Sequence, residues 1–261
     1  MHGPGYHPGL LPGLYIRQNA GKTAFKDRTE MNIPKHVAVI PDGNRRWAKK
    51  KGLAVFSGHE KGGSAMEDMI KGSLEMKIPY LTIWGSSLDN ILKRSKTEVS
   101  YLFKVFKKEF EKIAEDENIH KKKVRIMVIG KWEKHFSEDL KKAIENAIEK
   151  TKEYDKYFLT FLMAYNGTDE MIDCIKKIKE KRGEVNEKTI IENLWTKDLP
   201  PVDLIIRTGT ENDPHNSAGF MMWHTSYSQY YFTKKYFPEF RGKELEEAVK
   251  DYSERQRRKG K

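Results

Sequence analysis

Short runs rich in β-branched and aromatic residues alternate along this chain with longer, charged stretches whose apolar residues recur at helical spacing. Few folds accept that alternation, which is the pattern of βαβ units feeding a parallel sheet. Candidate strands span 36–40, 80–84, 124–129, 157–163, 202–207 and 219–223, and candidate helices span 62–76, 97–117, 137–153, 170–181 and 187–194. The expectation is an α/β fold with a doubly wound, mainly parallel six-stranded sheet and helices on both faces. A chain of 261 residues fits one domain of that class. No repeat, linker or composition break divides residues 31–261, so they are read as one domain. Residues 1–30 hold a Gly-, Pro- and His-rich stretch and are read as a mobile tail, with Leu10 to Ile16 as a segment able to touch a membrane or cover a site.

A formal net charge of +11 and a pI near 9.4 favour anionic partners: nucleic acid, an acidic membrane face or a diphosphate. No zinc-finger spacing, RNA-binding aromatic signature or helix-turn-helix pattern accompanies the charge, so no nucleic-acid partner is expected. The single cysteine, Cys174, rules out a disulfide framework or a cysteine zinc site and is read as a small core residue. That usage fits a cytoplasmic protein. The apolar runs are too short to span a bilayer, and no signal-peptide pattern opens the chain, which leaves peripheral membrane contact as the most intimate expected.

In an open parallel sheet, ligands bind beyond the carboxyl ends of the strands. Two polar clusters occupy such positions, Pro41 to Trp47 after the first candidate strand and Thr208 to Ser217 after the fifth. In the first, Asp42 and Gly43 stand where a helix begins, a place suited to phosphate, and Arg45 and Arg46 add permanently charged donors. A carboxylate beside a diphosphate makes best sense as a Mg²⁺ ligand that bridges to it. The residues alone leave a second reading open, in which Asp42 or Asn44 caps the helix and the arginines face water.

Residues 36–48, His-Val-Ala-Val-Ile-Pro-Asp-Gly-Asn-Arg-Arg-Trp-Ala, closely resemble the opening motif of the cis-prenyltransferases, the undecaprenyl and dehydrodolichyl diphosphate synthase family. Further blocks continue the resemblance to the C-terminus: Phe56-Ser57-Gly58-His59; Ser87-Leu88-Asp89-Asn90 with Arg94 and Glu98; Val202 to Gly209; Tyr230 to Thr233 with Phe237 to Phe240; and Arg258-Lys259-Gly260. The resemblance implies a homodimer with a hydrophobic tunnel, and a Mg²⁺-dependent alkyl transferase that draws diphosphate from an allylic prenyl donor. It assigns Asp42 to the metal and, with Asn90, to catalysis. It assigns Gly43, Asn44, Arg45, Arg46, Trp47, His59 and Arg94 to the donor diphosphate. Ser87, Asp89, Arg207, Glu211, His215, Ser217, Arg258 and Gly260 fall to the acceptor, and Gln229 stands at the position of a second family metal ligand. Met66, Met69, Ile70, Leu74, Leu102, Phe103, Phe106, Phe110 and Ile113 are candidates for the tunnel wall, each also an ordinary core residue.

The acceptor side departs from the family pattern. Residues 210–219, Thr-Glu-Asn-Asp-Pro-His-Asn-Ser-Ala-Gly, form a longer loop without the arginine that clamps isopentenyl diphosphate, and Gln229 replaces a glutamate. Val55 replaces a donor-side arginine, Ile91 an aromatic residue, and Asn166-Gly167-Thr168 a Gly-Gly-Arg turn. Two outcomes follow for the acceptor. It is altered, either to dimethylallyl diphosphate or to an alcohol hydroxyl; or His215, Ser217 or Arg258 compensates and isopentenyl diphosphate is used. A non-catalytic partner subunit of a heteromeric enzyme is the rival, and the intact Asp42 to Arg46 motif argues against it.

Overall fold

The computed structural model describes residues 31–255, so the expected tail at 1–30 and the acceptor candidates Arg258 and Gly260 lie outside the described residues. Strand β1 (His36–Ile40) is wholly buried, and its side chains alternate between two cores as a period of two requires. Val37 and Val39 enter one core, while Ala38 and Ile40 enter the other. The remaining strands are β2 (Tyr80–Trp84), β3 (Val124–Ile129), β4 (Tyr157–Leu162), β5 (Leu204–Arg207) and β6 (Gln229–Phe232). They form one sheet in the order β3-β4-β2-β1-β5-β6, and every pairing is parallel.

The helices are α1 (Asn44–Lys50), α2 (Val55–Glu75), α3 (Leu88–Lys93), α4 (Lys96–Glu115), α5 (Glu117–Lys122), α6 (Trp132–His135), α7 (Glu138–Thr151), α8 (Gly167–Glu180), α9 (Glu187–Asn193) and α10 (Gly242–Glu254). Helices α2, α4, α7 and α10 bury Met69, Phe110, Leu140 and Leu245 against the Val37 face. Segment 195–202 and the turn at 218–223 cover the other face through Leu199, Val202, Phe220 and Met221. Behind them, α8 and α9 meet at Cys174, Ile178 and Leu194.

The sixth strand differs from the sequence expectation. Segment 219–223 is a turn, because Gly219 and Met221 adopt left-handed backbone conformations (φ 61° and 44°) that no strand contains. Its apolar residues Phe220 and Met221 are buried as a plug, and the edge strand comes from Gln229–Phe232. Helix α2 also starts at Val55, seven residues before the expected 62. Glycines 58, 62 and 63 disguise its first half, since glycine weakens any helical reading. Helix α10, which buries Leu245, Ala248, Val249 and Tyr252, has no counterpart among the expected helices.

β1 lies at the point where the winding reverses: β2 follows it on one side, and β5 pairs with it on the other. Its carboxyl end is therefore the crevice where a doubly wound sheet binds ligands. At the opposite end, fully buried His36 bridges the main chain and β2, its ring nitrogens 2.8 Å from the Pro200 carbonyl oxygen and 2.8 Å from Thr82 Oγ1. Burial lowers its pKa from 6.5 to about 4, against the opposing pull of the Pro200 bond. Below pH 6.5 the unfolded chain takes up a proton that the folded chain refuses. His36 thus stabilises the fold above pH 6.5, and that contribution falls by roughly 3 kcal/mol as pH drops to about 4. Thermal melts across this window should show His36→Gln with a shallower decline than the parent; an equal slope would remove His36 as the cause.

Candidate active site at the β1 and β5 ends

Past Ile40 the chain turns through Pro41-Asp42-Gly43, and Gly43 takes φ 102°. A side chain there would be strained and would sit 2.5 Å from the Tyr236 ring. The turn is fixed to the end of β5: the Asp42 amide donates to Thr208 Oγ1 (2.8 Å), and the Thr208 hydroxyl donates to the Asp42 carbonyl (2.8 Å). The amide of Phe237 donates to the same carbonyl (3.0 Å). With its backbone held on three sides, Asp42 presents its carboxylate to two guanidiniums, Arg46 at 3.0 Å and Arg207 at 3.1 Å.

Arg207 is buried, and its other nitrogen donates to Ser217 Oγ (2.6 Å) and the His215 carbonyl (2.9 Å). Arg46 also lies 3.5 Å from Glu211 and over the ring of Tyr236, whose hydroxyl donates to Glu211 (2.5 Å). A second centre forms around Glu98 in the first turn of α4. Arg94 is 3.1 Å from its carboxylate, Arg45 3.7 Å and His59 3.9 Å. Burial, then the Arg94 charge, lowers the His59 pKa to about 4, so His59 is neutral at pH 7. Helix α1 has only seven residues, and the positive potential at this mouth therefore comes from arginines more than from a helix dipole.

Between these centres opens a cavity of about 410 Å³. Asp42, Asn44, His59, Asn90, Arg94 and Arg207 lie at its polar end; Met66, Leu102, Phe106, Phe110 and Ile113 line its apolar interior. A shallower groove shares Asp42, Asn44, His59 and Arg94 with it and adds Gly43, Arg45, Arg46, Lys49 and Val55. Three buried polar atoms lack a partner here: Asn44 Oδ1, His59 Nε2 and Arg207 Nε. Such orphans are costly without a ligand or water. The geometry suits a molecule with an anionic head and a hydrocarbon tail.

Most candidates from sequence meet in this cavity. Ser87 lines it and caps α3, accepting from the Asn90 amide (3.0 Å). Asp89 lines it as well, paired with Lys93 at 2.8 Å. Ser217 reaches it through Arg207, whereas the His215 ring turns away to Asp213 (3.1 Å). Trp47 also stays outside, donating to Glu239 (3.1 Å) and so fixing α1 to the 3-10 turn Phe237–Glu239. Gln229 opens β6 opposite Leu204, while Arg207 opposite Phe232 ends the pair. That register puts it about 10 Å along the strand from the site, where it accepts from Arg255. The structure therefore does not bring Gln229 to Asp42. Of the wall candidates, Met69, Ile70, Leu74 and Phe103 belong to the core and not to the cavity lining.

Sequence reasoning missed Tyr236 and Glu109 as parts of the site, and singled out Asn166 only as a member of the turn that departs from the family pattern. Asn166 Oδ1 accepts from the Leu88 amide (3.2 Å), so the unusual Asn-Gly-Thr turn supports the loop that carries Ser87 and Asp89. No spacing rule would have joined residues so far apart in the chain.

A parallel sheet with a basic, carboxylate-bearing mouth over an apolar cavity defines an α/β protein with a place for an amphipathic anion. The family model described as putative undecaprenyl diphosphate synthase matches residues 40–260. A tritrans,polycis-undecaprenyl-diphosphate synthase (geranylgeranyl-diphosphate specific) of Methanocaldococcus jannaschii is 41% identical over 239 residues, covering 88% of this chain and 84% of its own. An isoprenyl transferase of Thermotoga maritima is 38% identical over 235 residues, covering 88% and 98%. Among solved structures, lavandulyl diphosphate synthase from Lavandula x intermedia, in complex with dimethylallyl diphosphate, matches with a TM-score of 0.80 at 27% identity, covering 88% and 99%. The chain belongs to the cis-prenyltransferase family, and its chemistry is prenyl transfer.

The mouth depends on close packing between α1 and α2. A Cβ on Gly58 would lie 2.1 Å from the Asn44 carbonyl oxygen, a backbone atom that cannot swing aside. Gly58→Ala should therefore cost about 1–3 kcal/mol of stability and push α1 away from His59. Chemical denaturation measures the first effect and calorimetry with a prenyl diphosphate the second; unchanged values in both would show that α1 yields freely.

Proposed function

We propose that this chain is a Mg²⁺-dependent prenyl diphosphate synthase: it takes an allylic prenyl diphosphate into the cavity, releases diphosphate, and joins the prenyl carbon to the double bond of a second isoprenoid diphosphate, which then loses a proton. The observation that carries the reading is the position of Asp42 between Arg46 and Arg207 at the mouth of an apolar cavity. Arg45, Arg46 and Arg94 supply fixed positive charge for the departing diphosphate, and preorganised charge of this kind is the largest common source of rate enhancement. Asn44 through its side-chain N–H and neutral His59 through a ring N–H orient the head group by donating hydrogen bonds to it. Leu102, Phe106 and Phe110 exclude water from the reacting carbon.

The residues present fit Mg²⁺ in one way. Among the described residues no group of three or more His, Cys, Asp or Glu side chains could hold a metal. Mg²⁺ commonly takes one or two carboxylates and completes its shell with water and substrate phosphate. Asp42 is a single hard oxygen donor open to the cavity, so it would hold the ion together with the diphosphate. When bound, the ion supplies neutralisation of charge on the leaving group.

On the acceptor side, Arg207 and Ser217 are fixed to each other beside Asp42, which leaves a cation for an acceptor diphosphate without the family arginine. The relatives named as undecaprenyl-diphosphate synthases support isopentenyl diphosphate as that acceptor. Dimethylallyl diphosphate is the second reading, favoured by the likeness to the lavandulyl enzyme and by the altered 210–219 loop. An alcohol acceptor would leave Arg207 without an anionic partner from substrate. A homodimer completed by Arg258 and Gly260 belongs to the same proposal, as does a cytoplasmic site of action with peripheral membrane contact. No helix among the described residues is long and apolar enough to cross a membrane.

The purified protein with Mg²⁺, prenyl diphosphates of several lengths, and isopentenyl diphosphate, dimethylallyl diphosphate or simple alcohols should give diphosphate release and condensed diphosphate products by mass. Prenyl ethers alone would overturn the acceptor assignment. Asp42→Ala should lower kcat by at least about 10³-fold with every acceptor, and retained turnover would remove Asp42 from the mechanism. Omission of Mg²⁺ with a chelator should have a similar effect on the parent protein.

A further inference from the structure

The polar end of the cavity has two sides. Arg45, Arg46 and His59 line the shallower groove, whereas Ser87, Asp89, Arg207 and Ser217 line the cavity and not the groove. The second side is built from two segments far apart in the chain, 86–90 and 207–218, and the turn between β4 and α8 lies against both.

Within that turn, buried Asn166 meets the first segment. Its Oδ1 accepts from the Leu88 amide (3.2 Å). Only the oxygen of a side-chain amide can accept from an N–H, so Nδ2 is the group that reaches Asp89, 3.5 Å from its Oδ2. Lys93 holds the other Asp89 oxygen at 2.8 Å. Helix α3 has six residues and fully buries none of them, so polar contacts at its start matter more than usual. Ser87 caps the Asn90 amide and Asn166 the Leu88 amide, two of the four that a helix leaves open.

Gly167 meets the second segment. Its amide donates to the Ala218 carbonyl (3.0 Å), and a Cβ there would lie 1.8 Å from the Gly219 carbonyl oxygen, so the two backbones touch. One residue before Ala218, Ser217 accepts from Arg207 (2.6 Å). The turn is itself firmly held. The Ala164 and Tyr165 amides donate to Ser86, at its Oγ (2.9 Å) and its carbonyl oxygen (3.1 Å). The Tyr165 hydroxyl donates to buried Glu170 (2.5 Å), whose other oxygen accepts from the amide and hydroxyl of Thr196, each at 2.8 Å.

We propose that Asn166 is a positioning residue for the acceptor: from behind the cavity lining it sets Ser87 and Asp89 relative to Arg207 and Ser217, and so fixes where the second diphosphate lies. The inference rests on the prenyl diphosphate synthase reading. Loss of the Asn166 side chain leaves the Leu88 amide open and Asp89 tied on one side only. The arginines of the groove, which none of its bonds reaches, keep their places.

Steady-state kinetics of the full chain with Mg²⁺, farnesyl diphosphate and either isopentenyl or dimethylallyl diphosphate test it, beside calorimetry with farnesyl diphosphate alone. Asn166→Ala should raise the KM for the acceptor at least about fivefold and leave the affinity for farnesyl diphosphate within about twofold of the parent. Asn166→Asp keeps an oxygen for the Leu88 amide but sets a second carboxylate against Asp89. It should therefore melt above the alanine variant and still raise the acceptor KM, a split that a purely structural role would not give. An unchanged acceptor KM in both variants, or a loss of farnesyl affinity in step with it, would overturn the role of Asn166 while leaving the proposed function in place. A folded parent that consumes neither acceptor would overturn both.

Discussion

The ion pair between Asp42 and Arg207 joins the carboxyl ends of two strands that are neighbours in the sheet and far apart in the chain. Neighbouring hydrogen bonds fix both partners. Thr208 and Asp42 exchange a pair of hydrogen bonds beside the ion pair, and Ser217 holds the far side of the guanidinium. A carboxylate so placed stays paired although its side chain is 37% exposed. It is held at the crevice that the winding of the sheet creates, with a cation on each side, and the rest of the mouth is arranged around it.

The same mouth shows how a protein keeps several arginines together without a ligand. Glu98 stands among Arg45, Arg94 and His59, and Glu211 shares Arg46 with Asp42. These carboxylates offset repulsion among the cations. They also hold the guanidiniums in place, so little reorganisation would remain for the binding of an anion. Neutral His59 fits this arrangement, because one more positive charge beside Arg94 would be costly.

Much of this was legible in the sequence, for definite reasons. Five of six strands could be read because a parallel strand buried on both faces is a continuous apolar run, as in residues 36–40. The sixth could not, because Phe220, Met221 and Trp223 form an equally apolar run and only their left-handed neighbours exclude a strand. Helix α2 was half hidden by glycines that exist for packing: Gly58 and Gly62 lie against Asn44, and Gly63 against Glu109. Asp42, Asn44, His59, Asn90, Arg94 and Arg207 were found through a motif and do converge. Trp47, His215 and Gln229 belong to the same motifs, yet their side chains turn to Glu239, Asp213 and Arg255. A motif gives proximity of the backbone, and only packing gives the direction of a side chain.

The turn that replaces the expected strand has a bearing on how such an enzyme changes partner. Phe220 and Met221 seat one end of the 210–219 segment in the hydrophobic interior, and Thr208 with its hydrogen bonds seats the other. What hangs between these two moorings is largely exposed, from Glu211 to Asn216. Its ties to the rest of the molecule are few, Glu211 to Arg46 and Tyr236 and the His215 carbonyl to Arg207. A segment moored only at its ends and at these contacts can vary while the sheet keeps its pairing, so a change of sequence there would be felt at the mouth and not in the core.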